Sequence, residues 1–246
     1  MFSFNVVSLA CVSPGIHTHA EWQAVFNGQA PISDTLDSAL LKPIPPMLRR
    51  RLGGLGRCVA AAYLQLQPEA SSCPIIYASR HGDTTLSSSL LNGIAREEPM
   101  SPTQFSLAVH NAIGGVISIA QKNTAPMTAI SAMDGLALQA LFEAAGQLTE
   151  TDKVICVLYD APLPAQYEGY ASSVERPIAL ALELEVKTES TQREGVLSIQ
   201  LAKDALTDRK DLSLDEFSRL MIEGGSITTS INQQTWNVNY EAQHHG

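Results

Sequence analysis

The chain has 246 residues, 45% of them apolar and only 17% charged, where an ordinary soluble chain carries about 25% charged residues. That balance excludes a disordered polar chain and calls for a large core, a large interface, or both. A net charge of −9 excludes non-specific nucleic-acid binding, which needs a basic surface.

The length suits one broad α/β domain or two. Residues 4–12 form a β-rich run closed by Ser13-Pro14-Gly15. The start lacks a basic leader region, and its apolar run falls short of the roughly 20 residues of a membrane span. No other stretch comes closer, so the expected setting is cytoplasmic, with no membrane span. Glu21–Phe26 reads as a short helix. Leu48, Leu52, Leu55, Val59, Ala62 and Leu66 recur at three- and four-residue steps and predict a longer helix behind Pro45-Pro46. Pro74–Ser79 is a second strand. Ser101-Pro102-Thr103-Gln104 has the order of a capping box with proline at the first helical position. The helix behind it, through Phe105, Val109, Ile113 and Ile117 to about Lys122, is apolar nearly all round and is expected to be buried.

Met127–Ser131 is a third strand, Leu136–Leu148 a further apolar helix and Val154–Tyr159 a fourth strand. Ile178–Val186 is a fifth, whose alternation of Leu182, Glu183, Leu184 and Glu185 suits an edge strand. Beyond it, Lys187–Glu194 reads as a loop, Val196–Leu201 as a short strand and Ser213–Glu216 as the cap of a helix ending at Gly224-Gly225. Ile227–Tyr240 has mixed strand propensity. Apolar strands separated by helices predict an α/β fold: a mostly parallel five-stranded sheet, helices on both faces and an antiparallel edge strand. The division expected is a main domain over 1–190 and a C-terminal extension over 191–246 packed on it.

Cys11, Cys58, Cys73 and Cys156 are widely spaced without a CxxC, which is no disulfide framework. Cys11 and Cys156 sit in apolar runs and read as core thiols. His17-Thr18-His19 has a spacing that can bind metal but lacks a third ligand, so a surface turn is expected and no metal. His110-Asn111 reads as a hydrogen-bonded pair inside an apolar helix. Arg49-Arg50-Arg51 with Lys42 and Arg57 is the one basic cluster. It is either a solvated helix face or a docking patch for an acidic protein.

Three segments together carry a resemblance: SPTQFSLAVHNAIGGVISIAQ (101–121), MTAISAMDGLALQAL (127–141) and KVICVLYDAPLP (153–164). They resemble the N-terminal half of β-ketoacyl synthases, and in particular a short family made of that half alone. It includes the chain-length-factor-like subunits of aryl polyene pigment synthesis. The resemblance covers roughly residues 4–186 and implies a half-thiolase-like fold. Ketosynthases carry a nucleophilic cysteine in an Ala-Cys-Ala-Ser-Gly pattern at a helix start, where N–H groups and the macrodipole lower a thiol pKa. Here the segment is Ser131-Ala132-Met133-Asp134-Gly135, so Ala132 takes the nucleophile position. Asp134 then falls in the first turn, with Ser131 as its cap. The catalytic histidines of the family come from a second half, and His244-His245 lie in a polar tail without that context.

The resemblance therefore implies a non-catalytic subunit, not an enzyme on its own. It would pair with a full-length β-ketoacyl synthase as a heterodimer through the third strand: Met127, Thr128, Ala129, Ile130 and Ser131. It would shape the acyl tunnel with His81, Gly82, Phe105, Ala132 and Met133. It would hold no cofactor, since the acyl chain comes on the phosphopantetheine of a transiently bound acyl carrier protein. The alternative is an independent enzyme: a divergent ketosynthase, or a phosphatase read from Arg80-His81-Gly82, which resembles the Arg-His-Gly motif of histidine phosphatases.

Overall fold

A computed structural model describes residues 1–67, 73–167, 169–186, 193–202 and 211–243. The strands are β1 (Phe2–Val12), β2 (Ile75–Ala78), β3 (Met127–Ile130), β4 (Lys153–Asp160), β5 (Ile178–Val186), β6 (Gly195–Leu201), β7 (Gly225–Ile231) and β8 (Gln234–Ala242). The helices are α1 (His19–Phe26), α2 (Pro46–Arg49), α3 (Gly54–Gln65), α4 (Thr84–Ala95), α5 (Pro102–Ser106), α6 (Ala112–Gln121), α7 (Leu136–Gln147) and α8 (Leu214–Glu223).

The strands form a single sheet in the order β3-β2-β4-β5-β1-β6-β8-β7. Among the described residues it has eight strands where the sequence predicts five. Only β2–β3 and β2–β4 pair in parallel; every other pairing is antiparallel, which corrects the mostly parallel expectation. β5 is antiparallel as predicted but central, held between β4 and β1. Its alternating glutamates have partners across the sheet: Glu183 accepts from Ser8 Oγ at 3.0 Å and pairs with Lys153 at 2.9 Å. Lys153 also reaches Glu185. The edge-like pattern is a ladder of cross-strand pairs.

Helices cover both faces. On one, α3 and α6 bury Leu55, Val59, Tyr63, Val116 and Ile117 against Tyr77, Ile155, Val157 and Tyr159. On the other, α1, α7 and α8 bury Trp22, Leu138, Leu141, Phe217 and Leu220 against Ile76, Cys156, Leu158, Leu180 and Leu182. Each large side chain fully buried this way stabilises the fold by roughly 1.5–3 kcal/mol. α8 starts at a complete capping box, Ser213 and Glu216 exchanging hydrogen bonds. Among the described residues beyond 194, β6, β7 and β8 thus extend the same sheet and α8 packs against α7.

Two predicted helices are broken. The one after Pro46 divides into α2 and α3, because Gly53 lies extended between them and serves as the N-cap of α3. The one after Ser101 divides into α5 and α6, with His110-Asn111 in the turn between them. It is also not buried all round: Phe105, Val109 and Ile119 stand 62, 55 and 63% exposed. Gly114 brings α6 against the sheet. A Cβ there would lie 2.6 Å from the Tyr77 ring and 2.7 Å from the Met127 sulfur.

Candidate functional site

The site forms where β2 and β4 end. Asp160, the last residue of β4, is buried and accepts from Ser79 Oγ at 2.8 Å, from the Arg80 N–H at 3.1 and 3.2 Å and from the His81 N–H at 3.1 Å. Ser79 Oγ in turn accepts from the Gly82 N–H at 2.7 Å. Hydrogen bonds to an ionised group contribute about 1.5–3 kcal/mol each, so one carboxylate defines the whole turn 79–82. A lone carboxylate ending an apolar strand was the sequence signal for it, and it was missed.

The turn reaches the third strand. The Ser79 N–H donates to the Ile130 carbonyl at 3.1 Å, and Ser131 Oγ donates to the Arg80 carbonyl at 3.1 Å. The structure thereby brings Arg80–Asp83 beside Ser131-Ala132. Ser131 does not cap α7. That helix begins at Leu136, behind Gly135 at φ +65°, so Asp134 lies before its first turn, exposed. The Gly135 N–H is instead taken by Asp211 Oδ1 at 2.7 Å. Nothing in the sequence around Asp211 announced that role. Gly135 is also required sterically, since a Cβ would lie 2.5 Å from the Ile231 side chain.

Arg80 is occupied. Its Nη1 donates to Ser172 Oγ at 3.1 Å, and its Nη2 forms an ion pair with Asp211. His81 is half-buried and donates from Nε2 to the Ser172 carbonyl at 3.2 Å. With the guanidinium paired to a carboxylate and the imidazole on a carbonyl, this Arg-His-Gly does not form a phosphate cradle. Gly82, at φ +64°, is buried against His110, whose Cδ2 would lie 3.3 Å from a Cβ. His110 Nε2 donates to the Ser79 carbonyl at 3.1 Å, and Tyr159 donates to the His110 carbonyl at 3.3 Å. The His110 side chain is hydrogen-bonded as expected, but from a turn and not from mid-helix; Asn111 is exposed.

The turn divides two clefts. One, of about 80 Å³, is lined by Arg80, His81, Leu136, Leu158, Leu212 and Asp215. The other, of about 230 Å³, has Arg50, Arg51, Asp83, Gln104, Leu107 and Ile113 on its walls. Phe105 lies in neither; it stands on α5, facing outward. Met133 is 55% exposed, whereas Ala132 is partly buried against the core. β3 is one of the two edge strands, β7 being the other, with Ala129 exposed and Met127, Thr128 and Ile130 half-buried. Among the described residues no strand pairs with the outer edge of β3, and Met133, Phe105, Val109 and Ile119 are large apolar side chains left exposed.

The remaining candidates have local roles. His17 contacts Glu21 within the capping box of α1, and His19 Nε2 donates to the Ile222 carbonyl at 2.9 Å. Among the described residues no cluster could hold a metal ion. Arg50, Arg51, Arg57 and Lys42 are exposed around α2 and the start of α3, and among the described residues they form no ion pair. Cys11, Cys58 and Cys156 are buried thiols; burial pushes Cys58 and Cys156 up to about 12 and Cys11 further still. His244 and His245 lie outside the described residues. No helix among the described residues is long and apolar enough to cross a membrane.

Residues 20–245 match the family of β-ketoacyl synthase N-terminal domains, and the chain belongs to that family. No curated protein matches it. Among solved structures, it superposes with a TM-score of 0.76 on a chain of the complex of ketosynthase ApeO with its chain length factor ApeC from Xenorhabdus doucetiae. The identity is 24%, over 97% of this chain and 100% of the other. The ishigamide ketosynthase/chain length factor gives 0.62 at 16% identity, covering 82% of this chain and 68% of that one. A β-ketoacyl synthase from Burkholderia phymatum gives 0.58 at 10% identity, covering 90% and 69%. At these identities the likeness is one of fold, and the thiolase-like α/β class holds.

Proposed function

We propose that the chain is a non-catalytic, chain-length-factor-like subunit that pairs with a full-length β-ketoacyl synthase and shapes the tunnel in which an aryl polyene chain grows. The observation that carries this reading is the unpaired outer edge of β3 among the described residues, with Met133 exposed just behind it and Phe105, Val109 and Ile119 exposed on the preceding helical segment. An edge strand with large exposed apolar side chains next to it is an aggregation hazard unless a partner covers it. An obligate interface here would bury more than about 2,000 Å².

Two features at the elbow support the lack of chemistry. Ala132 offers no nucleophile, and the first N–H before α7 is taken by Asp211. Loss of a covalent nucleophile costs many orders of magnitude in rate. In this reading the partner carries out condensation, and the acyl chain comes on the phosphopantetheine of an acyl carrier protein, the chain itself holding no cofactor. Exposed Arg50, Arg51 and Arg57 suit the acidic surface of such a carrier. The subunit then acts in the cytoplasm by excluding water from an apolar polyene and by limiting its length.

The test is coexpression with a full-length ketosynthase of the same biosynthetic system. A stable heterodimer is expected, in which intact mass finds acyl groups on the ketosynthase only. A soluble monomer that binds no ketosynthase at micromolar concentration overturns the pairing. Stoichiometric acylation of this chain overturns the non-catalytic role.

A further inference from the structure

Arg80 and Asp211 tie together parts of the chain that the tunnel reading treats separately. Arg80 touches four segments: its N–H meets Asp160, its carbonyl accepts from Ser131 Oγ, Nη1 meets Ser172 and Nη2 meets Asp211. Asp211 divides its carboxylate between two partners, Oδ2 toward Arg80 and Oδ1 accepting from the Gly135 N–H. Gly135 is buried, so water cannot readily replace that acceptor, and a negative group there suits the positive end of α7. The same stretch of chain continues as buried Leu212 and Leu214, which wall the 80 Å³ cleft against Leu136 and Leu158. Ile231 then closes on Gly135 from β7. The elbow that carries Ala132 and Met133 is therefore shaped by residues from the C-terminal part, 76 positions beyond Gly135 in the case of Asp211.

We propose that Arg80 and Asp211 are positioning residues: a clasp by which the C-terminal segment sets the geometry of the turn after β2 and the elbow before α7. Its functional readout rests on the chain-length-factor reading. An arginine suits the place because its fork serves Ser172 and Asp211 at once, which a lysine cannot do in the same geometry. Asp211→Asn keeps the shape and loses the charge. Arg80→Met keeps the length and loses both donors.

The experiment has two arms. Amide hydrogen exchange on the full chain reads the clasp without reference to function. Asp211→Asn and Arg80→Met should speed exchange at Gly135 roughly tenfold while β4 amides stay unchanged. Arg80→Lys, which retains the cation, should protect Gly135 more than Arg80→Met does. In the complex with the ketosynthase, the first two variants should shift the polyene absorption maximum in the same direction, with Arg80→Lys lying between them and the parent chain. Unchanged exchange at Gly135 in both Asp211→Asn and Arg80→Met overturns the clasp. Faster exchange with an unaltered product makes the pair a mere structural tie and overturns the positioning role. Should the parent chain form no complex, the chain-length-factor reading fails and the positioning role with it, while the exchange arm still decides whether the clasp exists.

Discussion

β3 and β4 lie on either side of β2, both parallel to it and both apolar. Every residue of β4 after Lys153 is buried, whereas no residue of β3 is. The difference lies in what stands next to them: β4 has β5 on its far side and a helix layer over each face, and β3 has no strand on its far side among the described residues. Apolar composition alone therefore does not distinguish a core strand from an edge strand. The sheet buries one of the two and leaves the other at its margin.

The largest expected effect follows from breaking the inner side of that comparison. Leu158→Ala, at a fully buried site in β4, should cost about 2–5 kcal/mol in chemical denaturation. Ile119→Ser on the outer side should change stability by less than about 0.5 kcal/mol and yet abolish copurification with the ketosynthase. If Ile119→Ser unfolds the isolated chain as Leu158→Ala does, the margin is core and not interface.

A smaller effect is expected from alkaline pH. Burial holds the Cys58 and Cys156 thiols protonated up to about 12, where the ordinary value is 9.0. Between those values the unfolded chain loses protons that the folded chain keeps, so stability is full below pH 9 and falls as pH rises. The melting temperature should drop from pH 9 upward, and less steeply in Cys58→Ala and Cys156→Ala. Half-buried Cys73, raised to about 11, should be the first thiol to react with iodoacetamide in the native state.

The smallest effect is expected at Asp215 in the first turn of α8. Desolvation raises its pKa, with Glu175 and Glu216 adding to the rise and Arg176 opposing it. A raised carboxylate weakens the fold once the pH exceeds its folded value and costs nothing below the unfolded one. Asp215→Asn should therefore raise the melting temperature slightly at pH 7, with no advantage near pH 3.5.

The strands were the most legible part of the sequence. Ile178–Val186 spans the residues read from its apolar run, and β4 differs by one residue at each end. Legibility failed where polar or small residues form regular structure. α4 was missed because Ser87-Ser88-Ser89 and Gly93 are poor helix formers; Asp83 starts it by accepting from the Leu86 N–H. The β7–β8 hairpin turns on Asn232-Gln233, both at positive φ, without the glycine that usually marks such a turn. Strand pairing was the deeper gap, because β1 joins strands far away in sequence and no local pattern encodes that. At the site, the turn Arg80–Asp83 was visible as a motif, but its meaning came from Asp160 and Asp211, whose distance along the chain hides them.

The place of β1 in the middle of the sheet has a consequence for synthesis. Its neighbours are β5 and β6, and Ser8 meets Glu183 across 175 positions. At the roughly 5–20 residues per second of a ribosome, the first strand waits on the order of 10–35 s for its partners. Until then Phe4, Val6 and Cys11, all buried in the finished sheet, have nothing from β5 or β6 to pack against. A nascent chain stalled before Ile178 carries that unpaired strand into solution, where a holding chaperone or another stalled chain would meet it first.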